Sequence, residues 1–369
     1  MTTTVKTIAV LGAGHGGLAA AADLTRRGYS VRLQGRSEQR LAAIRERGGI
    51  DVTGVHQGFV PLTTLTTSVA EAISGADLVM LVVPAVAHAD YATALAGVLS
   101  PGQPVFINPG HTGGGLHFVH ELRRAGYRDE VRTAETVTLT YISRTQGPTA
   151  VAIYSYTRRL KCAAVPGRHT DAMLALLAPI YPEVARASSV LETGMANINA
   201  VFHPPGVLMN AGWIEDTGGD FLFYREGITP AVGAVCEAVD AERVAVARAL
   251  GIPTVPFLET FHQAGLTTDE GRASGSIAFA CRVSGPNATV KSPRSLDHRY
   301  VHEDVGYGLV PMSALGRLAG VPTPTMDALI HLASEMLGIR YGEVGLGLDG
   351  LGLAGVRAAD LARFVHEGV

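Results

Sequence analysis

Three groups of residues in this 369-residue chain have types and spacings that could do chemistry. The first is Gly12-x-Gly14-x-x-Gly17, within the run IAVLGAGHGG at residues 8–17. Glycines so spaced let the backbone turn, approach a pyrophosphate without an intervening Cβ and pack a following helix closely, so the ligand expected there is a dinucleotide. Gly12, Gly14, His15, Gly16 and Gly17 are assigned to it, with Pro84 after a later strand. An NAD enzyme usually carries Asp or Glu about twenty residues beyond the glycines, on the ribose 2′-hydroxyl. This chain has Gln34-Gly35-Arg36-Ser37 instead. Arg36 can pair with a 2′-phosphate and Ser37 can hydrogen-bond it, so NADP(H) is favoured over NAD(H); the rival reading of Arg36 is a solvated surface arginine.

The second group centres on one of 13 histidines, His203, in Asn197-x-Asn199-x-x-x-His203-Pro204-Pro205. A dehydrogenase must move a proton near the carbon that exchanges hydride, and imidazole suits that at neutral pH. Proline disfavours helical geometry at the residue before it, so a helix carrying Asn197 and Asn199 is expected to break at His203 and hold the imidazole at its end. A buried or capping histidine in a kinked helix is the alternative. The third group is the polar run Arg299-Tyr300-Val301-His302-Glu303-Asp304. It offers a carboxylate to fix a histidine tautomer and an arginine to clamp a substrate carboxylate. Spacing does not choose between Glu303 and Asp304, and a surface salt-bridge loop would read the same way.

These groups need elements to position them. Residues 8–11, 30–33, 78–83 and 104–108 read as buried strands, and 18–27, 38–48, 88–99 and 116–125 as the helices between them. Residues 50–61 read as a hairpin-like excursion, and 136–142 and 151–156 as further strands. Alternating strands and helices imply an α/β fold with an N-terminal doubly wound Rossmann sheet over residues 1–187. From 188 to 369 helical periodicity dominates, notably over 231–250, 310–319 and 325–337, so a mainly α-helical C-terminal domain is expected. Residues 265–276 and 285–295 look like loops, and the glycine-dense 345–355 has no assigned role.

Composition narrows the function classes. Net charge is −3 and no long Lys/Arg run occurs, which argues against a nucleic-acid partner. The longest apolar run, 78–87, is too short to span a bilayer, and no apolar leader precedes the first strand, so a cytoplasmic protein without a membrane partner is expected. Cys162, Cys236 and Cys281 lack paired or metal-ligand spacing, so no disulfide framework and no metal site are expected.

With the three groups placed, the chain resembles the octopine/nopaline (opine) dehydrogenase family. The resemblance runs almost end to end, through VLGAGHGGLAAAADL, VPAVAH, NPGHTGGGLHF and AETVTLTYISR. Its most specific stretches are NINAVFHPPGVLMNAGWIE, FYREGITPAVGAVCEAVDAERVAVARALG and HRYVHEDVGYGLVP. It implies a Rossmann domain joined to a helical domain, and reductive amination of a 2-oxo acid by an amino acid or amine through an imine to a secondary amine. It further implies that His203 is the catalytic histidine, Asp304 its dyad partner and Arg299 the clamp on a substrate carboxylate. Asn199, Tyr141 and Arg144 lie in family-like stretches and are assigned to substrate binding, though each could equally be structural. His15 departs from the asparagine often seen at its position in the family, and the acidic residue of NAD-using members is missing. The implied partners are small molecules, an amine or amino acid and a 2-oxo acid; a homodimer stays open. One rival is a 2-oxo acid or alcohol dehydrogenase of the ketopantoate reductase type, which often relies on lysine; only Lys6, Lys161 and Lys291 are present. The other is a non-catalytic NADP(H)-binding sensor.

Overall fold

A computed structural model of the chain describes residues 4–368; the extreme N-terminus, residues 1–3 of the stretch read as lacking an apolar leader, lies outside them. The chain divides into two compact units. The first takes in residues up to Gly110, Gly114–Thr193 and the C-terminal stretch from Ala362; the second comprises His111–Gly113 and Gly194–Leu361. The division thus falls at 193/194 rather than 187/188. It also gives a three-residue turn to the second unit and the last helix to the first.

In the first unit, Ile8–Leu11 and Leu78–Leu81 are apolar runs without a polar residue, as strands covered on both faces require. They lie in strands β1 (Thr7–Leu11) and β6 (Leu78–Leu81), with β2 (Ser30–Gln34), β3 (Gly49–Gly54), β4 (Gly58–Pro61) and β5 (Thr64–Thr66) between them. The remaining strands are β7 (Pro104–Ile107), β8 (Arg132–Thr136), β9 (Tyr141–Thr145), β10 (Ala150–Tyr156), β11 (Leu160–Val165) and β12 (Val184–Arg186). The main sheet has the order β12-β11-β8-β7-β6-β1-β2-β5. Its pairs are parallel except β8 with β11. The chain leaves β1 toward β2 on one side and later continues from β6 on the other, so the strand order reverses beside β1, at the end where open α/β sheets bind ligands.

A smaller sheet, β4-β3-β10-β9, contains the expected hairpin of β3 and β4. The helix His15–Arg26 packs against β1 and β2 on the main sheet and against β9 and β10, and its Ala19–Ala22 run is fully buried. The single strand expected over 136–142 is two strands in different sheets. Asn108 explains the break: its amide donates to the Thr136 and Thr140 hydroxyls, both at 2.7 Å, and accepts from the Thr140 backbone at 3.1 Å. That side chain satisfies a turn which local sequence alone reads as continuous strand.

The second unit is helical. Its longest helix, Pro230–Ala249, packs on Asn199–Leu208, Ile277–Arg282, Val310–Ala319 and Pro324–Leu337. Fully buried Arg243 ties it down: it pairs with Asp240 and donates to the Met195 carbonyl, the Thr254 hydroxyl and the Val255 carbonyl. A short helix, Asp269–Ala273, interrupts the expected loop 265–276. The helix Asn199–Leu208 does not break at His203 but runs through Pro204 and Pro205. Two prolines remove the donors that would bond the Ala200 and Val201 carbonyls. Burial of every residue from Ala200 to Leu208 outweighs that loss. Among the described residues no helix is long and apolar enough to cross a membrane.

Candidate active site

At the nucleotide end, β1 runs into Gly12 at φ +114°, where a Cβ would stand 2.3 Å from the Val82 carbonyl oxygen. A Cβ on Gly17 would stand 1.7 Å from the Gly12 oxygen, which is the close helix packing the motif requires. Gly14 is different: a Cβ there meets nothing within 4 Å. It starts the helix His15–Arg26, whose first amides have no side-chain cap and no acidic residue in the first turn. Open space in front of uncapped amides fits a pyrophosphate. His15 is half-buried, and Gly16 packs under Leu139.

Past β2, Arg36 is exposed, with its guanidinium 3.7 Å from the exposed Asp90 carboxylate. Ser37 caps the helix Glu38–Arg47 by accepting from the Arg40 amide. Arg40, which the sequence reading passed over, reaches back to the Ala13 carbonyl at 2.8 Å and so brings a second cation to the glycine turn. Pro84 is exposed after β6.

In the second unit, His203 and Asp304 meet. The imidazole Nδ1–H donates to Asp304 Oδ2 at 2.7 Å, and Nε2 lies 2.9 Å from the Tyr224 hydroxyl. Tyr300 stacks on the ring at 3.7 Å between centroids and Phe202 at 4.5 Å, both within 13° of parallel. Burial pushes the His203 imidazole below its ordinary value, and the Asp304 carboxylate only partly offsets it. Asn199 lies one turn before His203 on the same helix face, with its backbone amide bonded to Asn197 Oδ1 at 3.2 Å.

The geometry also settles which carboxylate serves which histidine. Asp304 takes His203, while its neighbour Glu303 accepts from His111 Nε2 at 3.0 Å, both side chains being buried. Glu303 also faces Arg299 at 3.7 Å, one turn earlier on the helix Arg299–Asp304. His111 adopts a left-handed conformation, φ +58°, on the turn after β7. Burial opposes its charge, but Glu303 and Asp304 outweigh burial and raise its pKa. Arg299 is likewise held charged: burial opposes it, and Glu303 and Asp304 prevail. His298 caps the helix by accepting from the Tyr300 amide, and burial together with Arg299 pushes it down to about 4.

Sequence reasoning missed Tyr224 beside His203 and His111 as the partner of Glu303, a residue it had weighed only as an alternative to Asp304; the only signal for Tyr224 and His111 was their place in the stretches FYREG and NPGHTGGG. It misread Tyr141. That residue is buried in the first unit, where its phenol bonds Asp23 at 3.1 Å and Tyr181 at 3.0 Å, leaving no surface for a substrate. Arg144 is exposed on β9. The glycine-dense 345–355 stretch acquires a structural role. A Cβ on Gly345 would stand 2.9 Å from the Gly306 oxygen, just past Asp304, and Leu351 packs against Gly113 beside His111.

Residues 186–337 match the family described as NAD/NADP octopine/nopaline dehydrogenase, alpha-helical domain, and residues 8–108 match ketopantoate reductase PanE/ApbA. The opine dehydrogenase of Arthrobacter sp. (strain 1C) is 36% identical over 362 residues, spanning 98% of this chain and 99% of that protein. The chain belongs to the opine dehydrogenase family. It is an oxidoreductase of CH–NH bonds that joins a 2-oxo acid to an amino acid by reductive amination, with a nicotinamide cofactor. The opine dehydrogenase fold is seen in octopine dehydrogenase with NADH and L-arginine, at TM-score 0.75 and 21% identity over 97% of this chain and 98% of that one. Yersinopine dehydrogenase with NADP+ gives 0.72 and 18%, over 100% and 99%.

Proposed function

We propose that this opine dehydrogenase prefers NADP(H) and works in the cytoplasm, using His203 with Asp304 for proton transfer and Arg299 to grip a substrate carboxylate. One observation carries the reading: the buried 2.7 Å contact between His203 Nδ1 and Asp304, on the helix that also carries Arg299. A carboxylate on Nδ1 fixes the tautomer and stabilises the imidazolium whenever it forms.

In the reductive direction the amine adds to the 2-oxo acid carbonyl, and His203 as imidazolium gives up the proton that lets the hydroxyl depart as water. The chemistry a nicotinamide cofactor would supply here, when bound, is the hydride for the imine carbon. Arg299 fixes the carboxylate, so the reacting carbon keeps one orientation through both steps. Running backwards, neutral His203 takes the proton again. Asn199, on the imidazole's face of the helix, is assigned to the substrate. Gly12, Gly14, His15, Gly16 and Gly17 would hold the pyrophosphate, and Pro84, following β6, is assigned to the same cofactor. Arg36 and Ser37, with Arg40 alongside, favour a 2′-phosphate, because the Gln34–Ser37 run at the end of β2 carries no carboxylate for a ribose 2′-hydroxyl; to pair with the phosphate, Arg36 exchanges its exposed 3.7 Å contact with Asp90.

The test is NADPH and NADH oxidation across a matrix of amines and 2-oxo acids, with single-component controls. Turnover is expected only when both substrates are present. kcat/KM should favour NADPH by roughly tenfold or more, the worth of one hydrogen bond to a charged group. Oxidation with a 2-oxo acid alone would favour the ketopantoate reductase type of chemistry, and binding without turnover a sensor.

A further inference from the structure

The His203 imidazole is enclosed on every side within the second unit. Tyr300 and Phe202 cover its two faces, Asp304 occupies Nδ1, and the Tyr224 hydroxyl occupies Nε2 at 2.9 Å. A proton reaching or leaving this ring through Nε2 therefore meets an oxygen that can both accept and donate. We propose that Tyr224 is a further catalytic residue, relaying the proton between His203 Nε2 and the substrate oxygen. The proposal rests on the assignment of His203 and Asp304 as the proton-transfer pair.

The local fold holds the phenol in place. Tyr224 lies in a wide π-helical turn, Phe223–Gly227, and such turns recur at functional sites. Asn210 donates to the carbonyls of Gly206 at 2.8 Å and Gly227 at 2.9 Å, tying the turn to the helix that carries His203. Phe223 meets the Tyr224 ring edge-on, with 5.0 Å between centroids, and its own ring leaves no room for a Cβ on Gly206. The Tyr224 hydroxyl also lies 3.3 Å from that of Tyr300.

The step balances without a further reagent. In the adduct of amine and 2-oxo acid, the Tyr224 O–H proton passes to the hydroxyl oxygen, while the Nε2–H of the His203 imidazolium passes to the Tyr224 oxygen. The C–O bond breaks, water leaves, and the nitrogen lone pair forms the C=N bond. Tyrosine is regenerated neutral and His203 keeps its Nδ1–H on Asp304. Hydrolysis of the imine in the oxidative direction reverses each transfer.

The decisive comparison is Tyr224→Phe against His203→Asn, each measured in single turnover, with a proton inventory on the wild type. Tyr224→Phe should lower the rate by about 10²-fold or more, leave NADPH affinity and melting temperature essentially unchanged, and remove the pH limb of His203. The wild-type inventory should be curved, because two protons move together. A Tyr224→Phe enzyme within about twofold of wild type, as a merely displaceable phenol would allow, overturns the relay. So does a slow variant that keeps the His203 limb, or a straight wild-type inventory, which is read on the native enzyme even if the variant misfolds. Full turnover by His203→Asn would instead overturn the proton-transfer pair itself.

Discussion

Adjacent buried carboxylates serve different histidines here, and that sets a stability test at the level of single residues. Glu303 is 3% exposed and is neutralised by His111 at 3.0 Å. Removing His111 takes away the nearer of two cations and leaves Glu303 facing Arg299 at 3.7 Å, so His111→Leu should lower stability in urea unfolding by less than the about 3–5 kcal/mol of a fully uncompensated buried charge. The pH dependence has a definite sign. The folded pKa of His111 is raised above the unfolded value of about 6.5, so its contribution is complete below that value and fades as pH climbs through the folded one. The gap between wild type and His111→Leu should therefore narrow on the alkaline side; a gap that widens there would contradict the pairing. His203 works in the opposite sense. Its pKa is lowered, so the fold resists its protonation and loses stability as pH falls below about 6.5.

Among elements, the glycine turn after β1 separates folding from binding. Gly17→Ala drives a Cβ to 1.7 Å from the Gly12 oxygen and should abolish soluble folded protein. Gly14→Ala places its Cβ in open space and should leave the melting temperature intact while weakening NADPH binding by roughly tenfold or more; calorimetry with a fluorescence titration separates the two. The parallel strands were legible because burial on both faces writes them as apolar runs such as Leu78–Leu81. What was not legible depended on distant partners. Asn108 divides the strand read over 136–142, and tertiary burial carries the helix through Pro204 where local sterics predict an end. The same holds at the site. His203, Asp304 and Arg299 stood out by motif, but the Tyr224 hydroxyl and the His111–Glu303 pair become visible only when separate elements converge.

Across the molecule, sequence order and compact units do not coincide. The final helix, Leu361–Glu367, follows the helical half in sequence, yet from Ala362 onward the chain belongs to the first unit. There Val365 is fully buried, and Arg168 donates to the Glu367 carbonyl. Deleting residues 362–369 exposes the surface that Val365 covers, at about 1.5–3 kcal/mol. By thermal unfolding this should appear as a drop of roughly 3–12 °C, at about 2–4 °C per kcal/mol for a unit of this size; an unchanged melting curve would show the segment to be dispensable.

The His111–Gly113 turn belongs with the helical unit although both flanking stretches belong to the other. A chimera of two related enzymes spliced after Thr193 would therefore inherit its histidine from one parent and the glutamate that neutralises it from the other. Viable hybrids must match at both positions, and recombination among homologues should pass them on as one heritable unit despite the distance between their codons.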